Sequence, residues 1–117
     1  MKTIFHLGTC STCQRILKEW NASSDYKLQD IKTDKMSATD VDEMIRLSGS
    51  AESLFSKRAM KYRGMGLHEK TLSEADYRQL IIDEYTFLKR PVLVDGDTIF
   101  VGNSKKVVEA AKAHLNG

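Results

Sequence analysis

The sequence is short of cysteine, of proline and of uninterrupted apolar stretches, and each shortage excludes something. Only two cysteines occur, at positions 10 and 13. A secreted scaffold stapled by disulfides would spread several along the chain, so a reducing compartment and a working thiol pair are expected instead. The single proline, Pro91, leaves no Pro/Gly/Ser-rich linker, and neither an internal repeat nor a low-complexity tract is present. The 117 residues therefore read as one domain over 1–117. No apolar run approaches the ~18 residues that a spanning helix needs, so no membrane partner is expected. Charge of one sign is also lacking. A net charge of +2 is too small to argue for direct nucleic-acid binding. Met1 to His6 read straight into a strand without a signal-peptide core, which makes cytoplasmic residence the expectation.

What is present is a regular succession of elements. Residues 2–7 read as a strand ending at Gly8 and Thr9. Ile16, Leu17 and Trp20 recur at helical spacing over 11–20. A second strand is placed at 26–31, with Tyr26, Leu28 and Asp30 alternating with Lys27, Gln29 and Ile31. The middle, about 36–86, reads as a helical insert. Ser37 to Asp40 and Ser73 to Asp76 are each spaced to open a helix, the first ahead of Val41, Met44, Ile45 and Leu47 and the second ahead of Tyr77, Leu80, Ile81 and Tyr85. Ser50 is placed as the cap of a short helical turn, and Lys57 to Arg63 form a basic stretch closed by Gly64 and Gly66. Val92 to Val94 and Thr98 to Val101 flank Asp95-Gly96-Asp97, a strong hairpin signal. A last helix from about Ser104 buries Val107, Val108, Ala111 and Leu115. The order β-α-β, helical insert, β-β-α makes this an α/β domain whose element order matches a thioredoxin-like fold interrupted in its middle.

Cys10-Ser11-Thr12-Cys13 falls where the first strand hands over to the first helix. Unpaired N–H groups and the macrodipole at a helix start favour an anion, and the thiolate is the nucleophilic form of cysteine. Cys10 is more exposed to that field and is assigned as nucleophile. Cys13, one turn on, points back and can attack a mixed disulfide. Two other readings compete. The thiols could be inert core residues, since cysteine is often simply buried. They could also be half of a zinc site, but only His6, His68, His114 and carboxylates could complete it, and no second Cys pair or close His pair exists. A strand-CxxC-helix context favours redox chemistry with no metal.

Three stretches carry a resemblance: His6 with Cys10 to Cys13, Leu54 to Arg58 followed by Gly66-Leu67, and Lys89 to Asp95 ending in Val101-Gly102. Together, in this order and over nearly the whole chain, they resemble the arsenate reductase-like family, which includes glutaredoxin-coupled arsenate reductases and Spx-type redox regulators. The resemblance implies a thioredoxin-like fold with an inserted helical segment, as the element order does. It implies that Cys10 is the catalytic cysteine and that His6 helps lower its pKa. Arg90 matches an anion-binding arginine and Pro91 a proline that is typically cis beside the active cysteine. Arg58 or Lys57 stands where the family has a further anion-binding residue. No cofactor is implied. The reductant would be glutathione or a dithiol protein such as glutaredoxin or thioredoxin, and the substrate a small oxyanion or a disulfide.

Two departures bear on activity. No arginine follows Arg90, where glutaredoxin-coupled arsenate reductases have a third anion-binding one. Those enzymes also lack a cysteine at the position of Cys13, whereas Spx-type proteins have the CxxC pair. Spx-type chains continue with a polar, charged extension, while this sequence stops at Gly117. An enzyme of the first kind and a regulator of the second, binding the RNA polymerase alpha subunit and placing Gly49 near that contact, are both open at this point.

Overall fold

The computed structural model describes residues 1–117. In chain order the first elements are β1 (Lys2–His6), α1 (Ser11–Trp20), β2 (Lys27–Asp30), α2 (Ala38–Ser48) and α3 (Met60–Gly64). α4 (Glu74–Asp83), β3 (Val92–Asp95), β4 (Thr98–Val101) and α5 (Lys105–Asn116) follow. They fall into two compact units: Met1–Lys35 with Arg90–Gly117, and Met36–Lys89. No helix is long and apolar enough to cross a membrane.

The first unit is built on a four-stranded sheet in the order β2-β1-β3-β4. β1 is central, pairing in parallel with β2 and antiparallel with β3, which pairs antiparallel with β4. Central placement explains why Thr3, Ile4 and Phe5 are buried in succession instead of alternating. Cys13, Ile16 and Trp20 recur at i, i+3 and i+7, which puts them on the inner side of α1. Ile16 and Trp20 pack with Ile4 and Leu93 from the sheet and Val108 and Ala111 from α5, so both helices cover one face. The buried Trp20 indole N–H donates to Val108 O at 3.0 Å, satisfying the one polar atom that ring brings inside. Asp95 pairs with Thr98 across a two-residue turn in which Gly96 has φ 59°, a conformation that favours glycine. This is the thioredoxin-like arrangement.

The second strand corrects the expected alternation. β2 is shorter than 26–31, Leu28 is 55% exposed, and Gln29 is only 5% exposed. β2 is an edge strand, and Leu28 lies at the sheet margin opposite Ile4, where apolarity does not ensure cover. Gln29 tolerates burial because its amide donates to Asp34 O at 2.9 Å.

The second unit is helical. Ser37 and Ser73 each accept from the backbone three residues on, while Asp40 and Asp76 reach back to the serine N–H, so both stretches open helices as expected, and each does so through a capping box. Ser50 Oγ accepts from Ser53 N at 3.1 Å and opens the 3-10 turn Glu52–Leu54. Glu74 accepts from the amides of Ala51 and Glu52 at 2.6 and 3.2 Å, tying this turn to the start of α4. Phe55 is the hub of the unit's aromatic packing, with Phe87 stacked and Tyr77 edge-on, both at 4.9 Å between ring centres. α4 ends before Tyr85 because Glu84 is extended (φ −139°, ψ 107°). Tyr85 therefore sits in a separate 3-10 turn, off the helix face expected to hold it.

Candidate active site

Everything at the thiol pair hangs on the end of β1. Leu7 follows the strand, and its carbonyl accepts from Cys10 N at 3.0 Å and from the Gln14 side-chain amide at 3.1 Å. Its N–H faces the Cys13 sulfur and favours the ionised form there. One residue thus fixes the backbone of the first cysteine and the side chain of the second. Cys10 is extended (φ −93°, ψ 112°) and serves as the N-cap of α1, where its carbonyl accepts the first helical bond from Gln14 N at 3.1 Å. Gly8 lies two residues before it, and a Cβ there would meet the Asp30 carboxylate oxygen Oδ2, so a larger residue would make that side chain swing aside.

The two thiols differ electrically. Burial works against ionising Cys10, but the Cys13 amide, the Cys13 S–H, the Arg90 charge and the Thr12 amide outweigh it and hold the thiol below its ordinary 9.0. The Cys10 sulfur closes no full capping hydrogen bond. The amide field at the helix start acts without one. Cys13 is fully buried, and burial first, then the neighbouring Cys10 thiolate, push its pKa up to about 11 against the opposing pull of Leu7 N–H and Arg90. No disulfide joins the two sulfurs.

Arg90 immediately precedes β3, half-buried, and its charge favours the thiolate of either cysteine. The Arg90–Pro91 bond is cis, and buried Pro91 accepts from Gly102 N at 2.9 Å, joining the start of β3 to the turn before α5. His6 ends β1 half-buried, in register with Asp30. Burial lowers its pKa from 6.5, and the Asp30 charge opposes this without overcoming it. The ring is therefore neutral at neutral pH. Desolvation therefore works against a charged imidazole at this position, and the Asp30 charge works for it.

His6, Cys10, Cys13, Arg90 and Pro91 all belong to the first unit. Lys57 and Arg58 belong to the second, where Lys57 pairs with Glu52 at 3.0 Å and lies 5.9 Å from the Tyr77 ring centre, and Arg58 is exposed. No group of three or more His, Cys, Asp or Glu side chains converges as a metal site. Two residues at the site escaped the sequence reading. Gln14 carries no motif, and only the need of the Leu7 carbonyl for donors could have pointed to it. Asp30 had one signal, the glycine at position 8.

A fold and a site of this kind have relatives. The chain is 23% identical over 105 residues to the global transcriptional regulator Spx 2 of Bacillus anthracis, covering 87% of this chain and 79% of that one. It is 27% identical over 105 residues to the uncharacterized protein YusI of Bacillus subtilis strain 168, covering 86% and 88%. An arsenate reductase from Vibrio cholerae superposes with a TM-score of 0.75 over 97% of this chain and 96% of its own, at 13% identity, which shows a shared fold. The family model for ArsC proteins matches residues 5–111, from the strand that feeds the thiol pair to the middle of the last helix, and the chain belongs to the ArsC family.

Proposed function

We propose that the protein is a thiol-dependent oxidoreductase resembling the glutaredoxin- or glutathione-coupled arsenate reductases, with Cys10 as nucleophile and Cys13 as resolving thiol. The asymmetry of the thiols carries this reading: Cys10 at the helix start is held below 9.0, while buried Cys13 beside it rises to about 11. With a disulfide substrate, the Cys10 thiolate forms a bond to one sulfur and the other leaves as a thiolate. With an oxyanion, Cys10 displaces a protonated oxygen as water and bonds to the central atom. In either case a second thiol then attacks the Cys10 sulfur. The Cys10–substrate bond breaks, a disulfide forms, and the substrate departs with two electrons. Arg90 would neutralise negative charge as the substrate approaches, with Arg58 or Lys57 as further anion contacts. Glutathione, glutaredoxin or thioredoxin would return the protein to its dithiol form in the cytoplasm.

The likeness to Spx 2 over most of the chain, together with the CxxC pair, supports a second reading. In it the same Cys10–Cys13 switch reports oxidation to the RNA polymerase alpha subunit. Arsenate reduction assayed with glutathione and glutaredoxin, and separately with thioredoxin, beside capture of purified polymerase, distinguishes them. The enzyme reading expects turnover without capture. Capture without turnover overturns it in favour of the regulator.

A further inference from the structure

Four helices of this protein have ten residues or more, and three of them begin alike. α2, α4 and α5 each start on a serine whose hydroxyl accepts from the amide three residues on: Ser37 from Asp40, Ser73 from Asp76 and Ser104 from Val107. α1 starts on Cys10, whose sulfur closes no such bond. An N-cap side chain ordinarily satisfies one of the free amides and fixes where the chain enters the helix. A thiol that must bond to a substrate cannot be committed in that way, because the capping bond would break at every turnover. Another group has to hold the entry to α1.

Gln14 is placed to do this. It stands one turn into α1, half-buried, where helical side chains lean back towards the N-terminus. Its Nε2 donates to Leu7 O at 3.1 Å, across the turn between β1 and α1. Leu7 O also accepts from Cys10 N at 3.0 Å, and Gln14 N donates to Cys10 O at 3.1 Å. The three bonds close a ring that runs from Leu7 O through the Cys10 backbone to Gln14 N, and along the Gln14 side chain back to Leu7 O. Both backbone polar groups of Cys10 are used inside that ring, and its sulfur takes part in none of the bonds. We infer that Gln14 is the positioning residue of the Cys10 nucleophile: its side chain braces the entry to α1 in place of a capping side chain and leaves the sulfur free to react beside the helix-start amides. The inference rests on the proposed nucleophilic role of Cys10. Leu7 O can only accept, so the brace needs a donor on the side chain at position 14. It contains no reacting atom and persists while Cys10 is joined to a substrate. Without it the first turn frays, the Thr12 and Cys13 amides lose their fixed direction towards the sulfur, and the thiolate loses part of the field that favours it.

Iodoacetamide alkylation of the whole reduced protein over a range of pH, with the modified cysteine identified by mass mapping, reads the ionisation of Cys10. In the unmodified protein the Cys10 rate should rise through a midpoint below the ordinary 9.0. Gln14→Met keeps the length of the side chain and removes the donor. It should slow Cys10 alkylation by about fivefold at neutral pH and move the midpoint upward, the size of effect expected of a helix-end field. At alkaline pH, where Cys10 is fully ionised, the rates should meet. Gln14→Asn keeps the amide on a side chain one methylene shorter, too short to span to Leu7 O, and should move the midpoint in the same way. The other groups that act on Cys10, which are Cys13 on α1 and the Arg90 charge before β3, are unaltered in both variants. Circular dichroism establishes that each variant is folded. If Gln14→Met does not fold, Gln14→Asn decides. An unchanged midpoint in the folded variants overturns the inference alone, even if their thermal stability falls, because Gln14 would then be an ordinary structural residue. A shift in only one of two folded variants also overturns it, since both lack the bond to Leu7, and so does loss of the fold in both. If the unmodified protein shows no midpoint below 9.0, Cys10 is not an activated thiol, and the proposed function fails along with the inference.

Discussion

Two His–Asp pairs stand at opposite ends of the same sheet and have been treated differently by the fold. At the end remote from the cysteines, His114 Nε2 lies 2.9 Å from Asp95 Oδ2, which also accepts from Tyr26 Oη at 3.0 Å. Lys2 adds its charge, 5.4 Å from the Tyr26 ring centre. That pair is satisfied, and it clasps the end of α5 to the β3–β4 hairpin and to the residue before β2. At the cysteine end, His6 faces Asp30 across the parallel register with its buried Nδ1 unbonded. Identical residue types therefore serve opposite ends. A carboxylate–imidazole contact that is complete stabilises structure, while a buried nitrogen left without a partner costs stability, and the fold bears that cost at the thiol end.

If the open end is the chemical one, the largest contrast should appear between the thiols themselves. A Cys10 pKa below 9.0 against a Cys13 pKa of about 11 gives Cys10 a thiolate fraction greater by at least roughly a hundredfold at neutral pH. The weaker nucleophilicity of a low-pKa thiolate returns about a factor of ten. Alkylation with iodoacetamide followed by mass mapping should still favour Cys10 at least about tenfold, and the complete burial of Cys13 widens the gap. Faster labelling of Cys13 reverses the assigned roles.

A charge substitution at the cysteine end should act on rate. Arg90→Ala should lower kcat/KM by about tenfold or more, roughly 1.4 kcal/mol of transition-state stabilisation, with little change in fold. It should also raise the Cys10 pKa, because the Arg90 charge helps hold that thiol down. Unfolding of this variant at room temperature would assign Arg90 to structure. The smallest effect belongs to the closed end. Asp95→Asn should lower the thermal midpoint by a few degrees and leave the alkylation rates of both thiols untouched. Asp95 is held below 3.8 first by its bond with His114 and then by Tyr26. Its stabilising contribution is therefore present above the unfolded carboxyl pKa and is lost as pH falls through the folded value. The unmodified protein and the variant should converge in stability in acid. A change in thiol kinetics on Asp95→Asn would abolish the distinction between the two ends.

The legible parts of this molecule were those decided locally. Ser37 with Asp40 and Ser73 with Asp76 open helices within four residues of chain, and Gly96 turns the hairpin because its own backbone can. The place of Cys10 at a helix start could be read because strand and helix patterns meet there. Leu28 and Gln29 could not be sorted, since their burial depends on which neighbour covers an edge strand. Gln14 reaches Leu7, seven residues back, and Asp30 meets Gly8 through strand register. Neither contact leaves a periodic or compositional trace. Arg90 and Pro91 were singled out through family resemblance, because one arginine before one proline specifies nothing by itself.

The central claim is that Cys10 and Cys13 form a functional, reversible pair. A cysteine at the helix N-cap and another one turn on can meet the strict geometry of a disulfide with little backbone movement. Stabilisation of the Cys10 thiolate favours the reduced form and makes exchange fast. Redox titration in glutathione and dithiothreitol buffers, read by thiol trapping, measures the pair directly. The account predicts a single two-electron transition to an intramolecular disulfide, within the range of CxxC proteins. Mild oxidation that yields only a glutathione adduct on Cys10, or only intermolecular dimers, would contradict it and leave Cys13 as a small core residue.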